Sequence, residues 1–589
     1  MIDQVKGALS DHNSTDLREH LVYLYGKRSG QNSFQELKFL LEGHPTDFAL
    51  QPRQLDQRDA ILITYGDQVQ TEGEKPLATL AKFCEKWLSE IASTIHLLPF
   101  YPYSSDDGFS VIDYTRVDPQ LGTWDDISAI GRKFRLMFDL VINHVSARSQ
   151  WFKAFLQGDE VFTGYFITVE GQPDLSAVTR PRALPLLTTF KTKSGEKQVW
   201  TTFSEDQIDL NFSNPAVLLE MLRVLMLYIE HGAEFIRLDA IAYLWKQIGT
   251  SCIHLPQTHR IVLLLRSFLN IYAPDVMLIT ETNVPHHHNL SYFGNGNNEA
   301  QLVYNFALPP LVLHTFLAGS ARQLSSWAES LHLPSTQVTF FNFLASHDGV
   351  GITPCKGLIP DSDYQALVES TLAHGGNVSY KNNPDGTRSP YELNINYFDA
   401  LSNPHSQEAV DTTVARFLAA HAIMLCLLGV PGIYFHSIFG SRSWFEGVEQ
   451  SGHYRTINRQ KLSMQQLERE LEDTRSIRSQ VYTGLSQLLR IRRTHPAFAP
   501  HGDQHVLDYG DGCFALLRVS EDQGESILCL HNVRAELTQL EIQPEQIWNC
   551  SDPVLVDLIS GQDFQANNFL TLTLLPYQIR WLGVISGPG

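Results

Sequence analysis

Positive charge is scarce in this chain. Lys and Arg total 44 against 64 Asp and Glu, a formal net charge of −20. Nucleic-acid binding rests on neutralising phosphates with basic residues, so no nucleic-acid partner is expected. The same deficit means that an anionic substrate must be met by a local cluster of cations. Long apolar runs are missing too. The longest, Phe417–Val430, contains His421 and is short of a membrane span, so it predicts a buried helix and no membrane association. The opening stretch, MIDQVKGALSDHNSTDLREHLVYLYG, has no basic segment followed by an apolar core, so no secretory signal is expected. The seven cysteines (Cys84, Cys252, Cys355, Cys426, Cys513, Cys529 and Cys550) show no paired spacing. That argues against a disulfide framework or zinc site and predicts reduced thiols in a cytoplasmic protein. Internal repeats and low-complexity tracts are absent.

What is present is an ordinary globular balance, 43% hydrophobic and 18% charged, over 589 residues, more than one core usually organises. Residues 1–58 are polar with helical apolar spacing, as in LREHLVYLYG and FQELKFLLEG, and predict an N-terminal helical extension. From Ala60 short apolar runs recur, each followed by a helix-period segment: ILITY, STIHLLPF, LMFDLVIN, AEFIRLDA, VMLITET, VTFFNFLASH and GVPGIYF. The alternation predicts an α/β fold, a (β/α)8 TIM barrel over 59–500. Two long polar intervals, about 146–209 and 351–403, interrupt it and predict inserted loop domains after barrel strands. From 501 to 589 short alternating segments such as CFALLRV and SILCLHN predict a C-terminal antiparallel β-domain.

Four apolar runs end in acidic, Asn or His residues: DLVINH, FIRLDAIAY, LITETN and FLASHD. In a TIM barrel the C-terminal strand ends carry the catalytic groups. One strand-ending Asp is as often a helix cap; four in order point to a site. Cleavage of a glycoside with retention needs a carboxylate nucleophile and a carboxylic acid/base. Asp239 suits the first role, because Arg237 two residues earlier projects from the same strand face and holds it ionised, although a structural ion pair would read alike. Glu281 suits the second, since the apolar LIT before it predicts partial burial and a raised pKa.

These four segments resemble, in order, the signature regions of the α-amylase superfamily, glycoside hydrolase family thirteen. The resemblance runs from about Ala60 to the C-terminus. It implies Asp239 as nucleophile, Glu281 as acid/base and Asp348 as a third carboxylate that holds sugar hydroxyls, with Arg237, His144 and His347 at the glucose site. HLLPFYPYSSDDGFSVIDY, RPRALP, GTSC, YNFALPPLVLH, SHDGVG and the INR triplet Ile457–Arg459 are similar to the sucrose phosphorylase subfamily. That implies inorganic phosphate as co-substrate, no cofactor, and α-glucose 1-phosphate as product. It further implies that Asp107 and Arg459 clamp the glucose, that Phe109 packs on it, and that Arg182 and Tyr391 reach phosphate from the two long loops.

A dianionic acceptor entering a carboxylate-lined pocket needs local cations, and Arg180, Arg182, Lys381 and Arg388 lie in those loops. Each alone reads equally well as a solvated loop charge. The pair Arg180/Arg182 stands out because Pro181 and Pro185 restrict its loop. Where sucrose phosphorylases read Tyr-Gln, this chain has Tyr391-Glu392. KNNPDGTRSPYELN, PDLSAVTRPRALPLLTTF, WTTFSEDQIDLN and ITETNVPH are similar to the glucosylglycerate phosphorylase branch, which implies an acceptor carrying a carboxylate. Glu392 is expected among the substrate contacts, though it is an awkward neighbour for that carboxylate. A sucrose phosphorylase, another disaccharide phosphorylase, or a hydrolase or transglucosidase would carry the same catalytic carboxylates.

No metal is expected. Three consecutive imidazoles, His286–His288, do not all face one ion. Asn143 matches one ligand of the calcium site in related amylases, but phosphorylases of this group generally lack that ion. NNPDG (Asn382–Gly386) reads as a turn. GNGNN (Gly294–Asn298) lacks the Lys-Ser/Thr of a phosphate loop. Phe203 is a candidate sugar-stacking ring beside Phe109. The expected partners are a small α-glucoside and phosphate, on a monomer or homodimer.

Overall fold

The structure is a computed structural model that describes residues 12–43, 54–383, 385–549, 553–566 and 568–584. Eight parallel strands close into a barrel: β1 (Ile61–Thr64), β2 (Thr94–Leu97), β3 (Arg135–Leu140), β4 (Ala233–Leu238), β5 (Met277–Thr280), β6 (Leu302–Tyr304), β7 (Thr339–Phe343) and β8 (Val430–Tyr434). Each pairs with its sequence neighbours, and β8 closes on β1 with Ile61 opposite Gly432. Nearly every strand residue is buried, as helices outside and side chains inside cover both faces. The seven apolar runs supply seven of these strands. The eighth, β6, is only three residues long and too short to show a period of its own.

The surrounding helices start where the sequence offers a start signal. Pro76, Pro215 and Pro256 open theirs, where a missing N–H costs nothing. Thr123 and Asp126 close a capping box at Trp124–Gly131. The apolar stretch around Phe417 is the buried helix Val410–Cys426. Among the described residues no helix is long and apolar enough to cross a membrane.

The N-terminal segment His12–Glu42 is helical but breaks at Gly26 (φ 74°), so its two arms fold together. Gly30 permits the close crossing: a Cβ there would stand 2.5 Å from the Leu21 carbonyl oxygen. Leu17, Leu21, Leu37 and Leu41 are buried, and the segment packs on the barrel helices Pro256–Tyr272 and Pro215–Glu230.

Two insertions rise from the C-terminal end of the barrel. After β3, His144–Ser146 pairs with Gln207–Asp209, and a three-stranded antiparallel sheet (Thr168–Val169, Gly195–Trp200, Leu187–Thr192) lies between them in sequence. After β7, Val350–Gly351, Arg388–Asn394 and Asn377–Asn382 form a second antiparallel sheet behind the helix Asp361–Ala373. Residues 503–584 form a six-stranded antiparallel sheet and a two-stranded one with an apolar core of their own. Buried arginines fasten this part to the barrel: Arg518 Nη1 donates to the Cys426 carbonyl at 2.9 Å and Nη2 to that of Ala499 at 2.6 Å. Six cysteines are free and buried; Cys550 lies outside the described residues.

Candidate active site

The ends of β3, β4, β5 and β7 converge on one cleft. Asp239 follows β4 directly and Glu281 follows β5, so adjacent strands present the two carboxyls to the same space. Arg237 organises them. Its Nη1 donates to Asp239 Oδ1 at 2.8 Å and also to Asp139 Oδ1, and its Nη2 stands 3.9 Å from Glu281 Oε2. Asp139 is held from behind by His96 Nε2 at 2.8 Å. Ala240 sits in the left-handed region (φ 49°), unusual for a residue with a side chain, and its N–H donates to Glu281 Oε2 at 3.1 Å.

The environments of the two carboxyls set their proton affinities apart. Burial raises Glu281, Arg237 opposes this, and the negative Asp239 and Asp348 add to the rise, which brings it to about 7. Burial also raises Asp239, but that carboxylate has the direct guanidinium contact that Glu281 lacks. The 2.8 Å guanidinium contact favours the anion at Asp239, which leaves Glu281 the better placed of the two to hold a proton. Asp348 differs again: burial would raise it, yet Arg455, His347 and Arg459 outweigh burial and hold it at about 2. One wall of the cleft is a stacked pair, the Phe109 ring over the His347 imidazole at 4.7 Å and 5°. Burial pushes His347 down to about 3 and lowers His144, so both imidazoles are neutral. His144 Nε2 lies 2.9 Å from the Phe109 carbonyl oxygen.

The matches to known proteins agree with this geometry. A model described as alpha amylase, catalytic domain, matches residues 86–353. Glucosylglycerate phosphorylase of Allomeiothermus silvanus is 50% identical over 567 residues, covering 96% of this chain and 97% of that protein. Its Escherichia coli counterpart is 48% identical over 528 residues, covering 90% and 92%. The chain belongs to the sucrose phosphorylase subfamily of the α-amylase superfamily. A solved structure of that subfamily, sucrose 6F-phosphate phosphorylase from Thermoanaerobacter thermosaccharolyticum, superposes with TM-score 0.71 at 27% identity, covering 88% of this chain and 98% of that one.

Within this superfamily frame some expected residues sit elsewhere than the sequence implied. Phe109, His144, Arg182, Phe203, Arg237, His347, Tyr391 and Glu392 line the cleft with Asp239, Glu281 and Asp348. Asp107 and Arg459 do not; Asp106, the neighbour of Asp107, does. Asp106 and Asp107 both have positive φ (52° and 46°), and this tight turn sends Asp106 inward, where it accepts from Arg182 at 3.1 Å. Asp107, outside the lining, takes Arg459 Nη1 at 2.7 Å. Arg459 thereby spans Asp107, Asp106 at 3.5 Å and Asp348 at 3.4 Å.

Glu392 is a buried ion-pair partner. Arg455 donates to it through two nitrogens, at 3.0 and 2.6 Å, and reaches Asp348 at 2.5 Å with the third. Glu392 therefore neutralises a cation and presents no free charge to an acceptor. Three of the four proposed acceptor cations stand away from the cleft lining. Arg180 donates back to the Leu184 carbonyl, Arg388 is exposed, and Lys381 stands 6.0 Å over the Tyr391 ring. Only Arg182 lines the cleft; its side chain remains 28% exposed.

Asp106, Asp139, Arg455, Tyr243, Asn283 and Lys246 carry no individual role in the sequence patterns, yet they stand at the cleft or hold the residues that do. Lys246 Nζ lies between Asn143 Oδ1 (2.7 Å) and Asp209 Oδ2 (2.5 Å), at the root of the first insertion. Its signal was a lone Lys in the apolar IAYLWK, which no motif marks. The three consecutive imidazoles do not share one focus: His286 meets Trp327, while the His287 and His288 rings lie 4.0 Å apart and His288 stacks on His254 at 5.0 Å. Among the described residues no group of three or more His, Cys, Asp or Glu is arranged to hold a metal.

Proposed function

We propose that this protein is a retaining glucosylglycerate phosphorylase, which moves glucose from the glucoside to inorganic phosphate and releases α-glucose 1-phosphate. The observation that carries the reaction type is Arg237 set between two carboxyls of unequal proton affinity, Asp239 and Glu281, in a cleft whose outer wall carries Arg182 and Tyr391. The substrate reading is supported by the relatives at 48–50% identity, which bear the name glucosylglycerate phosphorylase.

Glucose enters against Phe109 and His347, with its hydroxyls toward Asp348. Glu281 gives its proton to the glycosidic oxygen while Asp239 attacks C1, breaking the C1–O bond and forming a β-glucosyl ester. Glycerate leaves carrying that proton. Phosphate binds beside Arg182 and Tyr391, and Glu281 takes its proton as a phosphate oxygen displaces Asp239 from C1. Two inversions give net retention. Carboxyls that both lie within 4 Å of one guanidinium support the short separation that the covalent route requires. The Lys246 ammonium between Asn143 and Asp209 supports a site that needs no resident metal. Six unpaired thiols support a cytoplasmic location.

The test supplies phosphate with glucosylglycerate, sucrose or glucosylglycerol and measures glucose 1-phosphate, its anomer being read by NMR. The expected result is α-glucose 1-phosphate, formed fastest from glucosylglycerate. Release of free glucose at a rate independent of phosphate would overturn the proposal in favour of a hydrolase.

A further inference from the structure

We propose that Asn283 reads the aglycone, its side-chain amide being shaped for a small hydroxy acid; this deepens the function proposed above and rests on it. Asn283 follows Glu281 by two residues and lines the same cleft. Its Oδ1 is buried and has no hydrogen-bond partner among the described residues. Buried amide oxygens are nearly always paired, so an unpaired one in a substrate cleft marks a place for a donor from the ligand.

The surroundings hold this amide ready. A Cβ on Gly351 would stand 2.5 Å from Asn283 Nδ2 and 2.6 Å from Oδ1, so the side chain fits only because residue 351 is glycine. Gly351 pairs across the second insertion with Glu392, next to Tyr391, on the side of the cleft assigned to acceptors. The segment bearing Asn283 is anchored as well. Thr282 Oγ1 donates to Asn289 Oδ1 at 2.5 Å, and Asn289 Nδ2 donates to the Tyr304 carbonyl at 2.6 Å. Three other unpaired polar atoms near the cleft are Arg237 Nε, at the carboxyl pair, and His347 Nδ1 and Tyr65 Oη, at the glucose end, where the two rings meet edge to face.

The chemistry that fits is specific. A carboxamide offers one acceptor and two donors from a single planar group. An aglycone with a hydroxyl beside a carboxylate offers the complementary donor and acceptors. Oδ1 takes the hydroxyl proton and Nδ2 donates to the carboxylate. Because Arg455 already neutralises Glu392, a neutral amide is enough to admit the anion, whereas a carboxylate at position 283 would repel it.

The experiment compares wild type with Asn283→Ala, Asn283→Ser and Asn283→Asp, measuring KM and kcat on glucosylglycerate and on glucosylglycerol, together with inhibition by free glycerate. Melting curves establish that each variant is folded. Asn283→Ala and Asn283→Ser are expected to raise KM for glucosylglycerate roughly ten- to hundredfold, and to weaken glycerate inhibition in step. Asn283→Asp is expected to penalise glucosylglycerate more than glucosylglycerol, inverting the preference. Equal effects on both substrates, or none, in a folded variant would overturn the role of Asn283. A wild-type enzyme that releases glucose 1-phosphate from neither substrate would instead remove the functional reading on which it rests.

Discussion

Glu281 and Asp239 are chemically similar side chains that one guanidinium and one backbone N–H drive to different tasks. In the proposed cycle Glu281 holds a proton for the first displacement, so kcat/KM for the glucoside is expected to fall as pH rises through about 7. Asp239→Asn is expected to abolish turnover while the variant still binds glucose; a near-normal rate would show that another group attacks C1. Glu281 also carries a stability cost. Its native pKa is raised from 4.5 to about 7, so its contribution is fully present below the unfolded value and is lost as pH rises through about 7. The shift corresponds to ~3 kcal/mol. Glu281→Gln is therefore expected to melt higher than wild type near pH 8, by a margin that shrinks near pH 5.

At the level of elements, the two insertions are tied down by ion pairs that cross the chain. Arg455, from the loop after β8, grips Glu392 on the second insertion and Asp348 beyond β7. Lys246, from the loop after β4, joins Asn143 and Asp209 at the root of the first insertion. Asp209 is fully buried and also accepts from the Thr202 N–H and hydroxyl at 2.8 and 2.7 Å. Lys246→Met leaves that carboxylate without a cation and is expected to cost ~3–5 kcal/mol, read as a lower denaturation midpoint. Adding Asp209→Asn to that variant is expected to restore much of the loss; no recovery would mean that Lys246 acts through packing alone.

Across the whole molecule, a net charge of −20 opposes the approach of phosphate to a cleft where Arg182 and Arg455 are cations with partly exposed side chains. Screening shortens the range of that repulsion from about 30 Å at 0.01 M salt to about 8 Å at 0.15 M, while the buried contacts are screened less. kcat/KM for phosphate is therefore expected to rise with added inert salt over this range, and the value for the neutral glucoside sucrose to stay flat. A fall for phosphate would show that local attraction, and not the global field, governs its entry.

The sequence by itself determined the barrel and the carboxyls that its strand ends bring to the cleft. Strands buried on both faces must be apolar along their length, so a polar residue at their ends, such as Asp239, Glu281 or Asp348, stands out in the text. β6 escaped because three residues cannot display a period. What only the tertiary structure decided were the pairings between segments far apart in sequence. Asp106 and Asp107 are chemically equivalent in the text, and only the left-handed turn decides which of them enters the cleft. Glu392 reads as a free anion until Arg455, 63 residues on, is folded against it. The amide of Asn283 gains meaning only when Gly351 lies beside it and its oxygen is seen to lack a partner. Charge neutralisation and hydrogen-bond satisfaction are properties of neighbours in space, and a linear sequence records neighbours only along the chain.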